Sequence, residues 1–426
     1  MRHGAFALDV AGSGHDQLPF NPSPRAVQGV VMKRAPLVLV LVENLPLPGD
    51  RRVWLECSSL RDAGYRVAAI TPKGKGDPVY ELHEGVHLYK YEPPRVTSGP
   101  LSYAWEFIYC WLQTLRLVLT VVRRHGRPDV LQACNPPDTF WALALLLRPF
   151  GTKFVFDQHD LCPETFESKF GKRGIAHRGL LAFEKATYRT AHHVIATNES
   201  YKSVAMDRGQ VPESGVTVVR TGPDTTKLYR RSAEPALLRG HEYLVHFHGV
   251  MGRQDGVEIV LETVREFLKI GRTDTFFNVM GAGDDWPRLR KLATEWGLDD
   301  FVFMPGRVSD EDLFASMSTA VVGLSPDAPG PLNDVSTMNK TMEYMAFGLP
   351  VLSFDLKEAR VSAGESAEYV QPATSYAYAV ALAKLIDDTA RRAEMGAEGE
   401  RRAREVLDWR IQRPAYLSVF DRVLSK

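Results

Sequence analysis

Lys340 and Glu343 stand three residues apart in the stretch Asn333-Asp-Val-Ser-Thr-Met-Asn-Lys-Thr-Met-Glu-Tyr-Met-Ala-Phe-Gly-Leu-Pro-Val351. On a helix that spacing puts both on one face. A polar loop leads in, Gly348 stops the helix, and an apolar strand over 350–354 follows. A helix N-terminus offers free N–H groups and the positive end of its dipole to a phosphate. A first-turn lysine adds a point charge. A carboxylate one turn deeper can accept two hydrogen bonds from a diol such as a ribose. Taken by itself, the same pair also reads as an ordinary surface ion pair.

A second group lies in the first half, in Asp157-Gln-His-Asp-Leu-Cys-Pro-Glu164. It follows an apolar strand, where α/β folds place their sites. His159 is therefore read as a site residue against the alternative of a buried structural histidine. Asp160 and Glu164 can tune it or bind ligand hydroxyls. Asn135-Pro-Pro-Asp138 also follows a strand and is placed on the same side of the cleft. In Pro46-Leu-Pro-Gly-Asp-Arg-Arg52, Gly49 lets the backbone approach a ligand. Arg51 and Arg52 add charge there, one of them at least expected to face solvent. Glu199, in Thr197-Asn-Glu-Ser200, faces the same side more weakly.

Two motifs are decoys. Asp310-Glu-Asp312 spells a metal-binding Asp-x-Asp, but Ser309 before it gives helix-capping spacing. Gly281-x-Gly283 lacks the third glycine of a dinucleotide fingerprint, Trp286 standing in its place.

These residues need a scaffold, and the chain supplies one twice. Short apolar strands alternate with amphipathic helices in both halves, which implies parallel sheets covered on both faces. The first half predicts strands at 37–42, 67–70, 129–133, 153–157, 193–197 and 216–219, with long helices at 101–124 and 178–190. The second predicts strands at 243–247, 276–280, 301–304, 320–324 and 350–354. Its helices begin at Val257 and run over 286–296, 310–317, 338–347 and 375–387. The expected division is a disordered tail over 1–33, a first Rossmann-like domain over 34–224, and a linker over 225–241. A second such domain spans 242–408, and a last helix over 409–426 returns toward the first. Two domains of this kind face each other across a cleft, offering it their strand-to-helix loops.

With 426 residues, 44% apolar and 24% charged, the chain has globular composition. Its 52 basic and 52 acidic residues cancel, which argues against a general nucleic-acid binder. Four scattered cysteines fit a reducing compartment. No run of some twenty apolar residues stands out as a spanning helix, and the start lacks a signal-peptide layout. Helix 101–124, rich in Trp and Tyr and ending in Arg123-Arg124, has two readings: buried against the first sheet, or lying on a membrane beside a lipid-linked acceptor.

The order of these motifs resembles the retaining family 4 glycosyltransferases of the GT-B fold. Supporting segments are Asp62-Ala-Gly-Tyr-Arg-Val67, Val218-Val-Arg-Thr-Gly-Pro-Asp224, Gly281-Ala-Gly-Asp284 and Val302-Phe-Met-Pro-Gly-Arg307. The resemblance spans about residues 36–424 and is closest to bacterial members acting in cell-surface polysaccharide assembly. It implies transfer of a sugar from a nucleoside-diphosphate donor, most often a UDP-sugar, with anomeric configuration kept and without a metal. Glu343 then grips the donor ribose, Lys340 and Arg253 the diphosphate, and His159 lies beside the transferred sugar. Gly49, Gly252, Gly256, Gly281, Gly283 and Arg307 line the donor, with Asn339 at the helix start. The family's first glutamate falls at Val335, so Asn333, Asp334 or Ser336 takes over its sugar contact. Asp255 stands where relatives carry a lysine. The implied setting is cytoplasmic, at the membrane face if helix 101–124 docks there. The resemblance puts Arg51, Arg52, Asn135, Asp138, Asp160, Glu164 and Glu199 on the acceptor side, the acceptor being a glycan, a lipid-linked intermediate or a small metabolite. A non-catalytic sugar-binding protein is the rival reading.

Overall fold

The computed structural model of the chain describes residues 34–94, 100–171, 173–252 and 255–425, with side chains throughout except at 100–104. Leu37–Leu41 forms β1, an unbroken Leu/Val run that is wholly buried. Such a run marks a parallel strand covered on both faces. The chain continues through α1 (Arg51–Asp62), β2 (Arg66–Pro72), β3 (Tyr80–His83), β4 (Val86–Tyr91), α2 (Pro100–His125), β5 (Val130–Cys134) and α3 (Trp141–Leu147). Then come β6 (Lys153–Gln158), α4 (Cys162–Phe170), α5 (Ile175–Thr190), β7 (His193–Ala196), α6 (Glu199–Asp207) and β8 (Val216–Val218). These strands lie in the order β3-β4-β2-β1-β5-β6-β7-β8, parallel except where β3 meets β4.

The second sheet repeats the plan. Its elements are β9 (Tyr243–His248), α7 (Val257–Lys269), β10 (Thr275–Met280), α8 (Trp286–Glu295), β11 (Val302–Gly306), α9 (Asp310–Thr319) and β12 (Val322–Ser325). They continue as α10 (Asn339–Ala346), β13 (Val351–Phe354), α11 (Lys357–Ala363), β14 (Ala367–Val370), α12 (Ser375–Asp387) and α13 (Thr389–Arg402). The strand order is β11-β10-β9-β12-β13-β14, parallel throughout. Each sheet starts in its middle, grows one way, then crosses back over its first strand. The crevice at that switch, between β1 and β5 and between β9 and β12, is where doubly wound sheets bind ligands.

The last helix, α14 (Trp409–Leu424), packs on the first sheet, not the second. Trp409, Tyr416, Val419, Phe420 and Val423 share a core with Val38, Val40, Val53 and Leu60. Trp409 Nε1 donates to Ser59 Oγ at 2.9 Å. The two crossings between the domains touch at Gly222, where a Cβ would stand 1.8 Å from the Leu407 carbonyl oxygen. Only glycine fits there. Residues 225–241 lie against the second domain: Leu228 is buried in its core, and Arg239 stacks 3.9 Å over the Phe303 ring.

Several elements differ from the sequence expectation. The hairpin β3–β4 escapes it because its turn is Glu84-Gly85, both at positive φ, in place of the usual Asn-Gly or Asp-Gly. Helices α3, α4, α6, α11 and α13 and strand β14 are likewise additions. Trp105–His125 has 21 residues with mean hydropathy 1.2, so by length and composition it suffices to span a bilayer. Its inner face, with Cys110, Leu117, Val118 and Val121, packs in the first core, while Trp105, Ile108 and Leu112 are exposed. The four cysteines are free and buried.

Candidate active site

Helix α10 starts beside the β9–β12 crevice and carries both Lys340 and Glu343 there. The Glu343 carboxylate is gripped from two sides. His248, the last residue of β9, meets Oε2 with Nε2 at 2.8 Å. Arg51, the first residue of α1 in the other domain, donates from Nη1 to Oε1 at 2.8 Å and from Nη2 to Asp310 Oδ1 at 2.7 Å. Burial would raise the Glu343 pKa, but His248 and Arg51 outweigh it and hold it at about 2. The carboxylate is thus firmly ionised in a largely desolvated place.

Behind His248 the polar chain continues into the sheet. His246 Nε2 lies 3.0 Å from His248 Nδ1, and His246 Nδ1 lies 2.8 Å from Ser316 Oγ. Asn278 Nδ2 donates to Ser316 Oγ at 2.9 Å. Burial first, then His248, drives the His246 pKa well down, so this imidazole is neutral. With Ser316 donating to Nδ1, His246 donates from Nε2 to His248, which donates in turn to Glu343. The sequence reading missed both histidines. Their signal is an His-x-His at the carboxyl end of the first strand of the second sheet.

Lys340 donates to Asp327 Oδ1 at 2.8 Å. Asp327 is 1% exposed and its other oxygen accepts from Ser325 Oγ at 2.8 Å. The lysine therefore enters the crevice already paired. Asp255 accepts from the Gly252 N–H at 2.8 Å. Burial raises the Asp255 pKa to about 6 against the pull of Lys340. The Gly252 N–H is thus spent internally. Arg253 lies outside the described residues. Gly256 sits at φ 71° with a Cβ position 2.2 Å from the Pro326 oxygen. Gly281 and Gly283 press on the 249–251 loop, where added Cβ atoms would come within 1.9 Å of the Gly249 oxygen and 2.5 Å of the Met251 oxygen. Their glycine requirement is met by loop packing. Exposed Arg307 places Nη2 3.9 Å from where a Gly49 Cβ would be, so the two loops face each other across the cleft.

The loop before α10 is braced internally. Asn333 Nδ2 donates to the Ala328 oxygen at 2.9 Å, and Asp334 Oδ1 accepts from the Lys357 N–H at 3.0 Å. Ser336 Oγ donates to the Leu332 oxygen and meets the Tyr201 hydroxyl of the first domain at 2.9 Å. Asn339 is exposed at the helix start.

On the first-domain side, His159 follows β6 and is held at two points. Its N–H donates to Asn135 Oδ1 at 2.7 Å. Its Nε2 lies 3.0 Å from Asp157 Oδ2 and 3.1 Å from Arg52 Nε. Asn135 also receives the Asp160 N–H at 3.1 Å and donates to Asp138, so it shapes the loop from a buried position. Asp138 is buried, which lifts its pKa to about 6. Burial likewise raises Asp160, against His159. Glu164 pairs with Arg208, which also holds Glu184, and so ties α4 to α5 and α6. Glu199 is exposed at the start of α6, 3.9 Å from Lys202.

Of the two arginines that open α1, Arg51 has a side chain 37% exposed and Arg52 is buried. Arg51 spans the cleft to Glu343, which puts it against the donor half. Arg52 is 7% exposed and enclosed by Glu56, Asp157, His159, Val219 and Thr221. Ligand atoms of Glu56, Cys134, Asp157 and His159 lie within 4.8 Å of one another, but the Arg52 guanidinium already supplies the positive charge among them. The Asp310-x-Asp312 pair serves helix capping and Arg51: Ser309 Oγ accepts from the Asp312 N–H at 3.2 Å.

The comparisons with known proteins fall on the same two halves. Residues 49–222 match the glycosyl transferase 4-like domain, and residues 242–388 match the glycosyl transferases group 1 family. The chain belongs to the family 4 glycosyltransferases of the GT-B fold. Among relatives of this glycosyltransferase, the Mycolicibacterium hassiacum MMP alpha-(1->4)-mannosyltransferase is 29% identical over 139 residues, 32% of this chain and 33% of the relative. The Salmonella typhimurium protein WcaL, whose name assigns it to colanic acid biosynthesis, is 28% identical over 143 residues, 33% of this chain and 34% of the relative. The chain spans about a third of the length of the curated relatives it matches. By structure, the glycosyltransferase superposes on sucrose-phosphate synthase of Thermosynechococcus elongatus with TM-score 0.74 at 18% identity, covering 92% and 100% of the two chains. It superposes on Anabaena HepE in complex with UDP and glucose with TM-score 0.67 at 17% identity, covering 90% and 99%. The fold expected from the sequence, two facing Rossmann-like domains, is the fold observed.

Proposed function

We propose that this glycosyltransferase moves a sugar from a nucleoside-diphosphate sugar to an acceptor hydroxyl, keeping the anomeric configuration and using no metal. The observation that carries the reading is Glu343. It is an ionised carboxylate at the switch point of the second sheet, one turn after Lys340, in the place where a ribose diol would be accepted. UDP is the favoured nucleotide, in line with the UDP bound by HepE. The leaving diphosphate would be stabilised by Lys340, by cleft arginines and by the N–H groups opening α10, the kind of fixed charge that lowers a barrier where negative charge develops. A donor phosphate oxygen takes the acceptor proton, and His159 lies beside the transferred sugar.

We place the reaction in cell-surface polysaccharide or glycoconjugate assembly, in line with the WcaL relative. The exposed apolar side of α2, with Trp105, Ile108 and Leu112, suits contact with the cytoplasmic face of a membrane that carries a lipid-linked acceptor. The test is a thermal-shift panel with UDP, GDP, dTDP and ADP, with and without Mg2+. A metal-independent shift with one of them, about 2.7 kcal/mol at 100 times its Kd, lost in Glu343→Ala, is expected. A shift with free sugar alone would overturn the reading in favour of a binding protein.

A further inference from the structure

We propose that Arg51 is a donor-exchange residue: it occupies the carboxylate that receives the ribose and, displaced by it, moves onto the diphosphate. This rests on the donor reading of Glu343 and adds a cation from the opposite domain to the donor site.

The geometry separates the two grips on Glu343. His248 belongs to the same domain and holds Oε2 at 2.8 Å with a polar chain behind it. Arg51 reaches Oε1 from across the cleft. Each carboxylate oxygen accepts more than one hydrogen bond, so His248 can stay when a ribose arrives. Arg51 stands on the open side. Its other ion-pair partner, Asp310, is 70% exposed, and the Phe314 ring centroid lies 5.8 Å from the guanidinium carbon; an exposed pair of this kind holds only weakly. The neighbouring Arg52 is locked by five groups and has no such freedom. Of the two arginines that open α1, Arg51 is the one able to move.

The site also needs that charge. Lys340 is bound to buried Asp327, Asp255 adds a second carboxylate near that lysine, and Arg307 lies at the Gly49 loop. A diphosphate carries more than one negative charge and hangs from the ribose by a single methylene. Its oxygens therefore come within reach of a side chain that touches the Glu343 carboxylate receiving the ribose. A guanidinium suits them, since its fork matches two phosphate oxygens. A nucleoside without phosphate would break the Arg51–Glu343 pair and return nothing to the arginine.

The exchange predicts opposite signs for two ligands. Calorimetric titration of wild type and Arg51→Gln with UDP and uridine, and in parallel with GDP and guanosine, reads both. Arg51→Gln should weaken the diphosphate about tenfold, the loss of one charge-assisted contact, and tighten the nucleoside several-fold. Arg51→Lys should keep most of the diphosphate affinity, and melting of the free variants shows that they are folded. Equal weakening of both ligands, equal tightening of both, or no change in either would overturn the exchange while leaving Glu343 in its role. Failure of wild type to bind any nucleoside diphosphate, or binding indifferent to Glu343→Ala, would overturn the donor reading and the exchange together.

Discussion

Asp157 Oδ2 and Arg52 Nε lie 3.0 Å and 3.1 Å from one nitrogen, His159 Nε2. That nitrogen can give its proton to the carboxylate or its lone pair to the guanidinium, but not both. Which it does fixes the state of Nδ1, the other ring nitrogen. The choice is governed by a buried group behind the ring. Gln132 Nε2 donates to Glu56 at 2.8 Å and to Asp157 at 2.9 Å, and its oxygen accepts from Tyr416 of α14 at 2.7 Å. Burial and the Asp157 charge raise the Glu56 pKa well above its ordinary value despite Arg52. For Asp157, burial pushes up, and His159 and Arg52 more than reverse it, so its pKa is lowered. Between the two carboxylates around Arg52, Asp157 is thus favoured as the anion and Glu56 is pushed toward its protonated form.

Two substitutions separate these roles. Asp157→Asn leaves Arg52 buried without its anion and should cost about 3–5 kcal/mol, the usual price of breaking a buried pair. Glu56→Gln resembles the protonated acid it replaces and should stay within about 1 kcal/mol of wild type. Urea unfolding of both at pH 7 reads the difference. Equal losses would mean that Glu56 is ionised.

Lys340→Ala should do two kinds of damage. It removes a cation from the donor site and strands Asp327, which is 1% exposed. A stability loss of about 3 kcal/mol is expected from the stranded charge. The double variant Lys340→Ala/Asp327→Ala should regain much of that stability and none of the nucleotide affinity. If it binds UDP like wild type, the lysine serves the fold alone.

His248→Phe should free Glu343 Oε2 and raise the Glu343 pKa from about 2 toward its usual 4.5. The wild-type carboxylate stays charged down to about pH 2, so it imposes no loss of nucleotide binding between pH 4 and 7. The variant should lose affinity as pH falls below about 5, on top of a pH-independent loss of about 1–2 kcal/mol. Titrating UDP across that range gives both numbers. A flat profile in the variant would show that Arg51 alone keeps Glu343 ionised.

Glu43, just after β1, has its pKa raised to about 8 by burial and then by Glu106, with Cys110 opposing. The folded state thus holds a proton that the unfolded chain releases near 4.5. This term favours folding fully below about 4.5 and weakens as pH rises to about 8, by at most on the order of 1.4 kcal/mol per pH unit. Glu43→Gln should remove that slope. Chemical denaturation at pH 5, 6.5 and 8 checks it, and an unchanged slope would place the proton elsewhere.

The sequence was most readable where one covalent pattern decides a structure. The Leu/Val run of β1, the helix entered at Asn339 and stopped at Gly348, and the Ser309 cap all follow from local chemistry. What escaped it depends on partners distant in the chain. Nothing near Arg51 announces Glu343, which lies 292 residues on. Nothing near Lys340 distinguishes a lysine that waits for phosphate from one that already holds Asp327. The hairpin β3–β4 was hidden by more than its Glu84-Gly85 turn: its inner strand carries Lys90, buried against Asp77 and Glu81, so charge pairing replaces the apolar alternation that marks a strand. The acceptor side was the least legible. Asn135, Asp138 and Glu164 have the polarity of binding groups, and the structure uses them to shape and tie loops.

Helix α14 closes the face of the first sheet although the whole second domain precedes it in the chain. During synthesis the ribosome releases β1 through β8 long before the surface that covers them exists. The second domain, continuous from β9 to α13, has all its strands and covering helices before the first loses its bare apolar flank to α14. Assembly order is therefore inverted with respect to chain order, and the nascent protein is most exposed to misassociation in its earliest-made half.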